Sequence, residues 1–148
     1  MAEEGSQRTK TPWHLRVVGI VSLLWNLVGV LDFVMTETRN QAYLKGMTQA
    51  QLDYFYGFPG WVVVAWGIAT WGGALGSLLL LLRRRAALAC FWASFAAMAL
   101  TSIYNYALSN GLKVMGGGQA LVFCGVILAV GLALVAYARS SRAKGILS

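Results

Sequence analysis

The chain is 148 residues long, 58% hydrophobic and only 11% charged, whereas a soluble domain carries roughly a quarter charged residues to wet its surface. Twelve Lys and Arg against five Asp and Glu leave a formal +7, but the basic residues fall in short clusters between apolar runs. That pattern excludes a continuous phosphate-binding face, and nucleic acid as a partner, and the surface is expected to face lipid.

Residues 1–13 read as a disordered tail, followed by a first apolar span at 15–35. This span is too long for a signal peptide, and residues 32–35 offer no small-x-small cleavage site, so it is expected to remain as an anchor. Gly19, Ser22, Asn26 and Gly29 recur at steps of 3, 4 and 3, one stripe along which a second helix backbone can approach. Asn26, about 16 Å into the span, needs a partner for its amide: an interhelical hydrogen bond or a functional contact. Asp32, about 25 Å in, falls near the outer boundary, where a carboxylate is either functional or interfacial.

The loop at 36–60 contains Thr48 and Gln51 at capping-box spacing, and a short helix at 50–56 ends at Gly57 and Pro59. Its aromatics, Tyr54, Phe55, Tyr56 and Phe58, with Trp61 beyond, suit an interfacial helix in an aromatic belt or, alternatively, a lid that stacks on a ligand.

A second span at 61–82 carries Ala65, Ala69, Gly72 and Gly76, the last two forming GxxxG. Arg83, Arg84 and Arg85 then leave so short a connection that spans two and three must be antiparallel neighbours, with the arginines among lipid phosphates. In the third span, 86–108, Ala89, Ala93 and Ala96 form the expected seam. Ser94, Thr101 and Asn105 share another face, flanked by Tyr104 and Tyr106. After a glycine-rich turn, the fourth span at 119–138 offers Gly125, Ala129 and Ala136 as its seam, and residues 140–148 read as a solvated tail.

Nine Lys and Arg precede, separate or follow the spans on one side against three on the other, which places both termini in the cytoplasm and the 36–60 loop outside. The expected fold is an all-α membrane protein, a single antiparallel bundle of four transmembrane helices over residues 14–139. Asp32, Trp61, Tyr104, Asn105 and Tyr106 then share the outer leaflet and, with the deeper Asn26, are the candidate ligand-binding residues of a shallow outward pocket. Cys90, Cys124 and the single His14 define neither a disulfide framework nor a metal site, and no cofactor motif or catalytic constellation is legible.

Trp25-Asn26 with Gly29 and Asp32, Thr36-Glu37-Thr38-Arg39-Asn40, Tyr56-Gly57-Phe58-Pro59, Trp71-Gly72-Gly73 with Gly76, and Ile103-Tyr104-Asn105-Tyr106 resemble a family of short bacterial inner-membrane proteins. The resemblance runs from the first span to the third. It implies four helices and a membrane location; some members carry a sugar-transporter label, without an established substrate. Four-helix multidrug exporters are similar in size alone, since the glutamate expected in their first span is absent. The expectation is a non-enzymatic accessory or interaction subunit of the bacterial inner membrane, in a homo-oligomer or a larger membrane complex. The alternatives are a homodimeric transporter of a small solute such as a sugar, because four tightly seamed helices enclose no sugar pathway alone, and a membrane enzyme acting on a lipid-like substrate.

Overall fold

The computed structural model describes residues 10–148, and among them regular structure is helical throughout. Four helices are long and apolar enough to cross a membrane: Trp13–Glu37, Gly60–Leu81, Ala86–Leu108 and Gly118–Ala143. They cover the four expected spans. The N-terminal part of the expected 1–13 tail lies outside the described residues.

Helix α1 (Trp13–Glu37) starts after Pro12, whose fixed φ suits a helix entrance. It ends where Arg39 takes φ 54°, with Arg39 N–H on Thr36 O at 3.1 Å and Asn40 N–H on Met35 O at 3.0 Å, a Schellman closure. Short helices α2 (Gln41–Leu44) and α3 (Gln49–Tyr56) follow, and Thr48 and Gln51 close the expected capping box on α3. Helix α4 (Gly60–Leu81) follows Pro59 and closes through Arg83 at φ 58°. Helix α5 (Ala86–Ile103) passes into one π-helical turn at Tyr104–Leu108. Beyond the short α6 (Gly111–Val114), Gly116 and Gly117 take φ 97° and 66°, a backbone that only glycine adopts cheaply. They deliver the chain into α7 (Gly118–Ala143).

The spans touch in series: α1 lies against α4, α4 most extensively against α5, and α5 against α7. Outside these seams Val28, Trp71, Val122 and Phe123 stand exposed, as a lipid-facing surface requires. The seams expected on the first two spans are present. Gly29 lies against Thr70, Gly72 against Ser94 and Gly76 against Phe91, and a Cβ on Gly19 would enter Leu81. Polar side chains follow the same line: Asn26 Nδ2 donates to Ser22 O at 2.8 Å and to Ser77 Oγ at 3.2 Å. Ser77 Oγ in turn donates to Gly73 O at 2.9 Å, and Ser94 Oγ to Ala69 O.

The seams expected on spans three and four are elsewhere. Ala89, Ala93 and Ala96 are exposed, the buried residues of α5 are Ala87, Phe91, Ser94 and Ala97, and α5 meets α4 with Phe91 and Ser94. The reason is complementarity: Gly76 leaves a space on α4 that the Phe91 ring fills and Gly72 admits Ser94, so α5 presents a large residue at one step and a small polar one at the other. Gly125, Ala129 and Ala136 are likewise exposed, with nothing within 4 Å of a Cβ on Gly125. Helix α7 instead sets Gly131 against Phe95 and Met98, and buries Val135 and Ala138.

The segment after residue 139 is not a solvated tail. Helix α7 continues to Ala143, and Gly145 at φ 69° closes it, with Gly145 N–H on Arg142 O at 3.1 Å and Ile146 N–H on Ser141 O at 3.0 Å, another Schellman motif. Ile146 and Leu147 then enter the core formed by Leu15, Leu80, Ala87, Phe91, Val135 and Ala138. Ser148 N–H donates to Arg83 O at 2.7 Å, and Arg83 Nε donates to Ile146 O at 2.9 Å. Arg83 is therefore engaged in folding the chain back across the α4–α5 turn, beyond the lipid-anchoring role its sequence position suggests. This basic end of the molecule opposes the loop end, where α2, α3 and α6 gather.

Candidate functional site

At the loop end, α3 lies over the ends of the spans and is fixed by rings. Phe55 stacks on Trp66 with ring centroids 5.8 Å apart, and Phe58 meets Tyr54 edge-on at 5.1 Å and Tyr104 at 5.7 Å. Trp66 also meets Phe33 of α1 at 5.1 Å, and Trp61 meets Tyr104 at 5.5 Å. Such edge-to-face pairs contribute roughly 0.5–1.5 kcal/mol each beyond area burial. One short helix is thereby joined to α1, α4 and the end of α5.

Polar contacts reinforce the same cap. Tyr54 O–H donates to Asn105 Oδ1 at 2.8 Å, and Ser109 Oγ lies 2.6 Å from the phenol oxygen. Burial pushes the Tyr54 phenol above its ordinary value, and the Ser109 hydrogen bond pulls the other way. Gly111 is required beneath this pair, because a Cβ there would collide with Asn105 O and the Tyr54 hydroxyl. Gln51 Nε2 donates to Val114 O at 3.4 Å, which extends the contact of α3 to α6.

A second polar pair stands apart from the first. Tyr43 O–H donates to Asp32 Oδ1 at 2.7 Å, and the Tyr43 phenol is pushed up to about 12 by that hydrogen bond first, then by burial and the carboxylate's charge. Nearby, Tyr56 O–H donates to Thr36 O at 3.2 Å, and the Arg39 guanidinium carbon lies 4.3 Å from the centre of the Tyr56 ring. Thr36 is 1% exposed, and its Oγ1 is the buried side-chain oxygen without a hydrogen-bond partner among the described residues.

The structure thus divides the residues expected to form one pocket. Trp61, Tyr104 and Asn105 join the α3 cap; Asp32 belongs with Tyr43; Tyr106 O–H donates to Ala120 O at 3.2 Å and ties the π turn to α7. Asn26 sits deep in the α1–α4 seam as interhelical glue. The rings expected as a lid are packed against the span ends, so both the belt and the lid readings understate how firmly α3 is held. The sequence reading missed Tyr43, Thr36 and Ser109, which lack periodic placement; Asn40, whose Oδ1 accepts from Tyr43 N–H at 3.1 Å, is the local signal for α2.

Among the described residues no cluster of His, Cys, Asp and Glu is suited to a metal ion. Cys90 and Cys124 are free thiols, and Cys124 Sγ donates to Ser102 Oγ at 3.3 Å across the α5–α7 seam. No family model, curated protein or solved structure matches this chain.

Proposed function

We propose that the chain is an antiparallel four-helix protein of the bacterial inner membrane, with both termini cytoplasmic, that works without catalysis as an accessory or interaction subunit. Antiparallel packing is supported by the order of contacts: Gly72 faces Ser94 while Gly76 faces Phe91, so α4 and α5 run in opposite senses. The orientation is supported by the gathering of Arg83, Arg84, Arg85, Arg139 and Arg142 at one end. The bacterial membrane rests on the motif resemblance.

The observation that carries the subunit reading is the exposure of Ala89, Ala93 and Ala96 on α5 and of Gly125, Ala129 and Ala136 on α7. Small residues within a span let another backbone approach closely, and among the described residues no helix does so here. At the loop end, Tyr54 is bonded to Asn105 Oδ1 and, apart from it, Tyr43 to Asp32 Oδ1, an arrangement suited to holding a shape.

Extraction in mild detergent tests the reading. The parent chain is expected to co-purify with a stoichiometric membrane partner or a second copy, and Gly125→Leu with Ala129→Leu to release it while the monomer's melting is retained. Sugar-dependent uptake in proteoliposomes containing this chain alone would replace the reading with homodimeric transport. A cysteine at Gln49 is expected to react with an impermeant maleimide in intact cells, and one at Lys144 not to; the reverse pattern would invert the orientation.

A further inference from the structure

Between the first turns of α5 and the last turns of α7 runs a groove of about 570 Å³, lined by Arg85, Leu88, Trp92, Arg139, Arg142 and Ala143. That volume lies in the ~300–1,000 Å³ range of small-ligand sites. Three guanidinium groups border it and, among the described residues, no carboxylate side chain does. The described carboxylate side chains, Asp32, Glu37 and Asp53, belong to the loop end, on α1's last turns and on α3.

The folded-back tail sets Arg85 in place. Its backbone N–H donates to Ser148 O at 3.2 Å and its Nε to Leu147 O at 3.3 Å. The two terminal nitrogens, the pair that forks an oxyanion, take no partner among the described residues, and neither do the Arg139 and Arg142 guanidiniums. Three such cations on one concave surface repel one another, and an anion there relieves that repulsion.

The apolar half of the groove identifies the anion's carrier. Leu88 and Trp92 follow Arg85 by three and seven residues on α5, which sets them about 4.5 and 10 Å further into the span. Trp92 is 47% exposed, and an indole at this depth suits the boundary between headgroup and acyl chain. Cations at the mouth with an apolar floor below repeat the polarity of a phospholipid along its own length. A free phosphate ion would use the arginines and leave Leu88 and Trp92 without a role.

We propose that this groove binds a phosphate-ester anion carried on a membrane lipid, one anionic phospholipid, with Arg85, Arg139 and Arg142 at its phosphate and Leu88 and Trp92 along the start of its chains. Basic pockets between transmembrane helices on the cytoplasmic side are of this chemical kind.

Native mass spectrometry of the detergent-purified chain, titrated with phosphatidylglycerol, phosphatidylcholine or inorganic phosphate, tests it. Phosphatidylglycerol is expected to bind in preference to phosphatidylcholine and to resist displacement by millimolar phosphate. Arg139→Gln with Arg142→Gln is expected to weaken it roughly tenfold to thirtyfold, at about one arginine's interfacial attraction each. Arg84→Gln, exposed on the same turn and outside the groove, is expected to leave it unchanged. Should the double variant melt early, Arg142→Gln and Trp92→Ala singly are each expected to lower phosphatidylglycerol occupancy severalfold. Equal binding of the two lipids, equal loss with Arg84→Gln, displacement by phosphate, or indifference to both single changes would each overturn the proposal.

Discussion

Asn26 of α1 donates to Ser77 Oγ of α4 at 3.2 Å, and Gly73 lies directly against the same carboxamide. The absent side chain is what admits the amide: a Cβ on Gly73 would overlap Asn26 Oδ1 and come within 3.3 Å of Ser94 Oγ. One residue thus sits where α1, α4 and α5 all converge.

Gly73→Ala is therefore expected to destabilise the fold by about 1–3 kcal/mol through overpacking and a displaced hydrogen bond. Gly125→Ala, with nothing within 4 Å of its Cβ, is expected to be neutral or stabilising by up to about 1 kcal/mol from helix propensity. Reversible unfolding in mixed micelles measures both. Equal effects at the two positions would contradict the observed seams.

Thr36 offers the opposite experiment. Its hydroxyl is buried without a partner, so Thr36→Val keeps the shape and removes the unsatisfied group, with an expected gain of about 1 kcal/mol. A clear loss of stability would show that the oxygen has a partner in the membrane.

Tyr54→Phe removes the donor to Asn105 Oδ1 and is expected to cost about 1–3 kcal/mol, because the amide oxygen loses its bond beneath packed rings. The readout is local: faster amide exchange is expected in α3 and the π turn, with the α1–α4 seam unaffected. Asn105→Ala is expected to loosen the same two elements, so any loss of partner binding in that variant has to be compared with Tyr54→Phe.

The Tyr43 phenol ionises at about 12 in the folded chain against an ordinary 10.0. Its raised value favours the protonated form, so the contribution is complete below pH 10 and is lost as pH rises toward 12. Ultraviolet titration of Asp32→Asn is expected to bring one phenolate transition back toward 10. Titration curves that superimpose for parent and variant would remove Asp32 as the cause.

How legible each feature was in the sequence follows from how far apart its partners lie. Thr48 and Gln51 are three residues apart, and their capping box could be read directly. The Gly72–Gly76 stripe was readable from helical period, whereas the matching face of α5 was not, since Phe91 was selected by the shape of α4 and not by any pattern of its own. Tyr54 and Asn105 are fifty-one residues apart, beyond any local rule. Gly145 followed by Ile146 and Leu147 did hold a readable signal, a helix-closing glycine with an apolar residue behind it; the surrounding Arg142 and Lys144 obscured it.

Contacts made in series also give the molecule a mechanical order. A span held along one seam peels away separately, as units do in a stack where each touches only its neighbours. Under a pulling force along the membrane normal, α7, which shares a smaller seam with α5 than α4 does, would leave before α4 and α5 separate. The His14–Tyr137 hydrogen bond between α1 and α7, with Ile146 and Leu147 packed in one core with Leu15, is then a latch through which tension on α7 is shared with α1.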